Sequence, residues 1–469
     1  MAIVTVQLGQ CGNQIGNQLY STVLLDAMEA RKAGHHDYWE VSCERFFDST
    51  PQTSTLRPRT VLIDMEQKVI QQSLEHSRRM KLWEYDSKCI YSQKRGSGNN
   101  WANGYCCYGP AIEEDVLSMV HRQVEKCDHL GGFLVLMSVA GGTGSGVGAH
   151  ITEALRGEFP HAFLVNQVVW PYASGEVIVQ DYNTLLTLSH IYDTSDGVLA
   201  VQNDHLQEIC SRLLKLRNVS FADMNKVVCH GLASILQPAV SRDASSFAVV
   251  PPVKVVDHLS MSSWHIGDLV SHLTSHPQYR LWSLLNIPQT PEASQVYTHY
   301  LWSGLLKHLR QMMLTSAAMD EGMDWTVKLE PPPAVGGEEV TKCHRMLKKG
   351  TSSHSKCTAA ALFIRGLEAE EVDASPFAHQ GLFPPWSQPP SSLRVAFHPH
   401  HFNKYEKSAA LVVNGRAILD PLARVCSRGW AKFNARAYLH QYSKYGLGET
   451  DFVGAFMKME HILTLYNSL

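Results

Sequence analysis

The run Ala140-Gly141-Gly142-Thr143-Gly144-Ser145-Gly146-Val147-Gly148 is the segment whose residue types point most directly to chemistry. It follows an apolar run and precedes a helical pattern that begins near Val147. A glycine loop in that setting lets the backbone come close to an anion, and its N–H groups and the helix N-terminus hold phosphate oxygens. Thr143 and Ser145 add hydroxyl donors. The loop lacks the lysine of a Walker motif, and its spacing does not fit the dinucleotide fingerprint with an acid ~20 residues on. Without the strand before it and the helix after it, the same run would read as a flexible linker.

Three further segments fall where neighbouring strand ends of the same sheet point. Gln10-Cys11-Gly12-Asn13-Gln14-Ile15-Gly16 opens a helix and offers amides and more N–H groups; its plainer reading is a tight turn with a helix cap. Asp64-Met65-Glu66 places two carboxylates after a strand, which suits a Mg²⁺ held mainly through waters beside phosphates. Acids favoured by a helix dipole are the plainer alternative there. Gly96-Ser97-Gly98-Asn99-Asn100-Trp101 is a Gly/Asn turn able to donate backbone N–H groups, or an ordinary loop.

The elements that must carry these segments read as alternating strand and helix. Ile3-Val4-Thr5-Val6-Gln7-Leu8 and Thr60-Val61-Leu62-Ile63-Asp64 are strands, the first leading into a helix expected near Asn13. Residues 131–139 are almost uniformly apolar, as a strand buried on both faces of a parallel sheet is. Residues 161–170 and 197–202 are two more apolar runs, with helical patterns over 113–127 and 182–191. The expectation is a doubly wound parallel sheet over roughly the first 200 residues. An apolar helix follows over 221–237, then a less regular region to about 417 with long loops or insertions at 241–263 and 331–355. Two helices, over 424–445 and 451–466, close the chain.

At 469 residues the chain is long enough for about three domains and a sizeable core. The net charge of −3 argues against nucleic acid as the main partner. Charged residues at 18% fall below the usual ~25%, which leans toward surface covered by other subunits. Eleven scattered cysteines without metal spacing suggest reduced thiols. No secretory leader and no membrane-spanning run are expected. His398-Pro399-His400-His401 has no carboxylate or cysteine close in sequence, so exposed loop histidines are expected there rather than a metal site; Lys348-Lys349 reads as a solvated loop.

Taken together, Gly9-Gln10-Cys11-Gly12-Asn13-Gln14-Ile15-Gly16, Gly98-Asn99-Asn100-Trp101-Ala102 and Gly141-Gly142-Thr143-Gly144-Ser145-Gly146 resemble the tubulin family, in family order and nearly end to end. The delta branch is the most similar, through Trp170-Pro171-Tyr172, Gly175-Glu176-Val177-Ile178-Val179-Gln180, Gly304-Leu305-Leu306-Lys307-His308-Leu309-Arg310-Gln311-Met312, Lys404-Tyr405-Glu406-Lys407-Ser408-Ala409 and Leu439-His440-Gln441-Tyr442. The resemblance implies an α/β fold: a doubly wound parallel-sheet GTPase domain of tubulin type over 1–203 and linking and core helices over 204–237. An α+β intermediate domain over 238–417 and a C-terminal helical pair over 418–469 complete it. It places GTP or GDP, with Mg²⁺, in the sheet.

By the same resemblance Gln10 and Cys11 lie at the phosphates, Ala140, Gly141, Gly142, Thr143, Gly144, Ser145 and Gly146 wrap them, and Ser138 is a further nucleotide-binding residue. Ser97, Gly98 and Asn99 reach toward the terminal phosphate, Asn203 and Asn225 read the guanine edge, and Phe221 stacks on the base. Gln180 stands where alpha and beta tubulins direct an acid at the ribose. Ala140 replaces the first glycine of the usual loop. Gly96 stands where those tubulins often carry an acid, which leaves Mg²⁺ to Glu66, with Gln10 near it mainly through water.

The family completes hydrolysis in trans, and Asp268, with Asp257 as the weaker rival, is the matching acid for a neighbour's nucleotide. Residues 289–300 align with the lateral-contact loop without resembling that of alpha or beta. The implied partners are other tubulins and centriolar microtubules. The implied role is at centrioles and basal bodies, supporting triplet microtubules, cilia and sperm structures. The implied location is the cytoplasm and cytoskeleton, centriole or centrosome and cilium base, with the nucleus as a further one. An actively cycling, polymerisation-coupled GTPase is the first alternative, and a nicotinamide-dependent oxidoreductase on a similar sheet the remote one.

Overall fold

Every residue of strand β1 (Ala2–Leu8) is buried, and its side chains alternate between two cores. Val4, Val6 and Leu8 face one core and Ile3 the other, where Thr5 and Gln7 join a buried hydroxyl network. Thr5 Oγ1 lies 2.7 Å from Tyr20 Oη and 2.8 Å from Thr60 Oγ1, and Gln7 Nε2 donates to Thr60 Oγ1 at 3.0 Å. The computed structural model describes residues 1–48, 55–175, 177–242, 263–295, 297–329 and 354–469. Most of the two expected insertions, with Lys348-Lys349 and Asp257, lies outside the described residues.

Phe47–Asp48 (β2) and Arg57–Pro58 (β3) form a small antiparallel pair. The main sheet is built from β1, β4 (Thr60–Asp64), β5 (Ile90–Ser92), β6 (Leu130–Ser138), β7 (Leu164–Trp170) and β8 (Gly197–Gln202). It continues through β9 (Val240–Ser241), β10 (Leu281–Ile287), β11 (Cys357–Gly366), β12 (Leu393–His398) and β13 (Lys407–Gly415). The order is β5-β4-β1-β6-β7-β8-β10-β13-β11-β12-β9. The first six strands are all parallel, as the alternation of strand and helix implied. Leu281 and Trp282 of β10 pair with Val198 and Leu199, so the sheet continues unbroken into a mixed second half.

The chain leaves β1 toward β4 and β5 and then returns past β1 to β6. The strand order therefore reverses beside the carboxyl ends of β1 and β6, the place where open α/β sheets bind ligands. The helix Gly9–Lys32 starts directly at the end of β1, earlier than the expected Asn13, because Gly9 takes a left-handed φ of 69° that turns strand into helix in one residue.

The core helix Phe221–Leu236 packs with the helix Gly9–Lys32 in one core. Arg365, fully buried on β11, donates to the carbonyls of Ser234, Pro238 and Gln237 at 2.7, 2.9 and 2.7 Å and so satisfies the end of that helix. A separate core, around Leu285, Leu309, Met312, Leu362 and Leu411, fills the second half.

The closing helices run Leu419–Asn434 and Glu449–Asn467, with a short turn of helix at Leu439–Ser443. The expected single helix over 424–445 is broken where Arg436 and Tyr438 adopt left-handed φ values of 52° and 62°. Tyr442, Phe452, Phe456 and Tyr466 share a core with β1, β6 and the helix Gln180–Thr194, so these helices close over the nucleotide half.

The histidine reading is corrected. His398 and His400 are buried rather than exposed, because the turn after β12 folds under Tyr38 and His35. No helix among the described residues is long and apolar enough to cross a membrane.

Candidate functional site

At the carboxyl ends of β1, β4 and β6 lies a cavity of about 380 Å³, within the size range of small-ligand sites. Four segments distant in sequence line one part of it: Gln10, Cys11 and Gln14; Asp64 and Glu66; Gly96, Ser97, Gly98 and Asn99; and Ser138 with Ala140, Gly141, Gly142, Thr143 and Gly144. Asn203, Phe221 and Asn225 line it as well, with Val169, Val177, Leu206, Met224 and Val228 as an apolar lining.

Helix starts give this cavity its anion character. The helix Gly9–Lys32 begins without a side-chain cap and without an acid in its first turn. The same holds for the helical turn Thr143–Val147 that runs into the helix Gly148–Glu158. Uncapped N–H groups beside a hollow are available to an anion, and each helix dipole favours one there.

The loops are braced from behind. Ser97 and Thr143 hydroxyls lie 3.1 Å apart, and Asn103 Nδ2 donates to the Ser97 carbonyl at 3.0 Å. Gly142 is required by close approach, since a Cβ there would come 2.3 Å from Ser97 Oγ and 2.7 Å from the Asn100 nitrogen. Asn183 donates to the carbonyls of Asn99 and Ala140 at 2.9 and 2.7 Å, tying two loops together. Asn13 donates to the carbonyls of Gly9 and Ile63 at 2.8 and 3.1 Å.

Three predicted residues do not line the cavity. Ser145 is buried and its hydroxyl donates back to the Gly141 carbonyl, bracing the loop. Gly146 is packed against Trp101, whose carbonyl would lie 2.2 Å from a Cβ there. Gln180 is buried, and its Nε2 donates to the Tyr172 carbonyl at 3.0 Å.

Asp268 lies elsewhere, in a hollow it shares with Met1, near the opposite end of β1 from the cavity. Its carboxylate accepts the His265 N–H at 2.9 Å at the start of the helix Ile266–Leu273.

The acids differ in setting. Asp64 is buried, and burial pushes its carboxyl up to about 6 against the pull of the Glu66 and Met65 N–H groups. Glu66 is exposed, and a Cβ at Gly96 would sit 2.4 Å from its Oε1. The glycine thus leaves room for the carboxylate.

Asn183 carried no signal in the sequence, being one polar residue in a helical pattern. Asp64 and Gln14 stood inside segments already singled out.

A family model described as Tubulin/FtsZ family, GTPase domain, matches residues 2–211, which carry most of the residues lining this cavity, with Phe221, Met224, Asn225 and Val228 beyond them. Tubulin delta chains of Macaca fascicularis, Mus musculus and Homo sapiens are 38%, 39% and 39% identical to this chain, each alignment covering 100% of both proteins. A GTPase-domain match over the parallel sheet and likeness over the whole length lead to one conclusion: the chain belongs to the tubulin family, as a GTP-binding cytoskeletal protein similar to tubulin delta chains.

Proposed function

We propose that the cavity holds GTP or GDP with its phosphates between Gln10-Cys11 and the loop Ala140–Gly146, and its base against Phe221, Asn203 and Asn225. The observation that carries this reading is the gathering of three glycine- and amide-rich segments and one acidic pair around one hollow at the switch point of the sheet. Phe221 keeps 48% of its surface exposed, an unusual state for a large aromatic and suited to stacking. The oxygen donors fit a hard cation: Glu66 would hold Mg²⁺, with Gln10 nearby through water. When bound, the cation would neutralise phosphate charge. The test is chromatography of nucleotide released from the purified, denatured chain. Stoichiometric guanine nucleotide is expected, and an empty site would overturn the reading.

The protein acts, in this proposal, as a structural subunit or adaptor at centrioles and basal bodies, supporting triplet microtubules, cilia and sperm structures. Full-length similarity to tubulin delta chains supports it. Its partners are other tubulins. Tyr297 and Leu301 are 85% and 75% exposed in and beside the segment aligned with the lateral-contact loop, in keeping with lateral partners unlike those of ordinary protofilaments. Free co-assembly into plain microtubules at high occupancy would contradict that.

A cycling GTPase is supported by one further observation. The seven residues of β1, at ~3.3 Å each, put roughly 20 Å between the end that carries Asp268 and the end that carries the cavity. Asp268 is thus out of reach of its own nucleotide but placed to meet that of a head-to-tail neighbour, where it would orient a water. Asp268→Asn keeps an acceptor for the His265 N–H. It is expected to cut assembly-stimulated GTP hydrolysis about 100-fold while leaving nucleotide content unchanged. Unchanged hydrolysis would leave Asp268 with its capping role alone.

A further inference from the structure

The segment that supplies Val177 to the cavity wall is held from outside by two cations of the C-terminal helix. Arg428 Nη1 donates to the Ala173 carbonyl at 2.8 Å, and Lys432 Nζ to the Ile178 carbonyl at 2.7 Å. The two side chains stand one helical turn apart on the helix Leu419–Asn434. They converge on Asp181, second residue of the helix Gln180–Thr194. Arg428 reaches Asp181 Oδ1 with Nε at 3.1 Å and Nη2 at 3.0 Å, and Lys432 reaches Oδ2 at 2.6 Å.

Asp181 is 3% exposed, against 38% and 27% for the two cations, so the carboxylate has left water while its partners still touch it. The Ala173 N–H in turn donates to Asp204 at 2.9 Å, the residue next to Asn203. The segment is therefore tied on one side to the residues assigned to the base and on the other to the outer helix.

We infer that Arg428 and Lys432 are positioning residues of the nucleotide site. They set the place of Val177 and the start of the helix that carries Asn183, and they couple the C-terminal helix to nucleotide retention. The physical reason is that removing either cation leaves a buried carboxylate short of a partner and frees one loop carbonyl, so the segment relaxes away from the cavity. Lys458 provides the contrast. It pairs with Asp193 at 2.5 Å, joining a C-terminal helix to the same helix Gln180–Thr194, but it holds no carbonyl among the described residues of the wall segment.

This inference rests on the guanine-nucleotide reading of the cavity. The experiment loads the full chain with fluorescent N-methylanthraniloyl-GDP and follows its release on adding excess GDP. Arg428→Ala and Lys432→Ala are each expected to speed release about tenfold, inside the roughly 5–150-fold range of site-to-site coupling. The double variant is expected to fall short of the product of the two, because both act through Asp181. Arg428→Lys is expected to restore most of the wild-type rate, and Lys458→Ala to leave it unchanged. A wild-type rate in both alanine variants, or equal acceleration in Lys458→Ala, overturns the inference and leaves the cavity reading standing. A wild-type chain that takes up no fluorescent nucleotide overturns the cavity reading and the inference with it.

Discussion

Asn183 and Asp26 are both buried polar residues at which separate stretches of chain meet, and they are satisfied by different chemistry. Asn183 donates to Asn99 and Ala140 and accepts from the Trp101 N–H at 3.1 Å and the Tyr442 O–H at 2.7 Å. Both donors and both acceptor positions of the amide are used, and nothing in the set carries charge. Asp26 accepts the Tyr38 O–H at 2.6 Å, the Gln237 amide at 3.2 Å and the Asn403 N–H at 3.1 Å.

Around Asp26 stand His398 and His400, whose Nε2 atoms make no hydrogen bond among the described residues. Burial pushes the Asp26 carboxyl up to about 6 and the His400 imidazole down to about 4. The junction behind the glycine-rich loops is thus neutral and closed, whereas the junction between the first helices and the second half of the sheet is ionisable. Geometry at the first should hold across pH, and stability at the second should not.

Asn183→Leu tests the first half of that contrast and carries the largest effect. It leaves two carbonyls, one N–H and one hydroxyl unpaired in the interior, at about 1–3 kcal/mol each where water cannot reach them. A loss of at least roughly 3 kcal/mol is expected, equal at pH 5.5, 7 and 8 in urea unfolding, together with loss of copurifying nucleotide. A strongly pH-dependent loss would erase the distinction between the junctions.

Tyr38→Phe tests the second half. The Tyr38 O–H stabilises the ionised Asp26 carboxylate, and a hydrogen bond to a charged group contributes about 1.5–3 kcal/mol. Burial pushes the folded Asp26 carboxyl up to about 6, from the 3.8 of a free aspartate. Above 6 the carboxylate is ionised and needs the donor; below 6 it takes up a proton and the need fades. The variant should therefore lose most at pH 7.5 and progressively less toward pH 5, by the same unfolding measurement. A constant loss across that range would mean the hydroxyl only packs.

The glycine-rich end of the cavity could be read in the sequence because its requirements are local. A backbone that must approach an anion needs glycines, a helix start must follow a strand, and both occur within Ser138–Gly148. The parallel strands were legible for a related reason, since burial on both faces leaves an unbroken apolar run such as Phe133-Leu134-Val135-Leu136-Met137.

What escaped depends on distant partners. Asn183 meets Tyr442, and Asp181 meets Arg428, across more than 240 residues. No spacing rule connects such pairs. The second half of the sheet was read as irregular although β11 and β13 are buried throughout, because Thr358-Ala359-Ala360-Ala361 and Ser408-Ala409-Ala410 are alanine-rich and alanine gives little strand signal. His398 and His400 misled for the opposite reason: a polar tetrapeptide with a proline reads as exposed, and only the fold reveals Tyr38 and His35 over it.

His400→Gln gives the smallest effect and bears most finely on the contrast. His400 faces Asp26, with His400 Nε2 3.8 Å from Asp26 Oδ1, and lies among His35, Tyr38, His398, His401 and Arg365. Its folded pKa of about 4 lies below the 6.5 of a free histidine, because burial disfavours the imidazolium first and the neighbouring His35, Arg365 and His401 add to it. The sign follows from linkage: the unfolded chain binds the proton first, so the stability tied to neutral His400 is whole above 6.5 and drains away as pH falls toward 4. Asp26 works the other way, since its raised pKa means that the folded chain binds a proton more readily between 6 and 3.8. The two slopes oppose each other below pH 6, whereas just above it His400 acts without Asp26, in the same direction as His398, whose imidazole burial also holds well below its usual value. Replacing the imidazole by an amide should therefore flatten the wild-type decline between pH 7 and 6, on the order of 0.5–1 kcal/mol in urea unfolding. An unchanged slope there would place the acid sensitivity of this junction in His398 rather than His400.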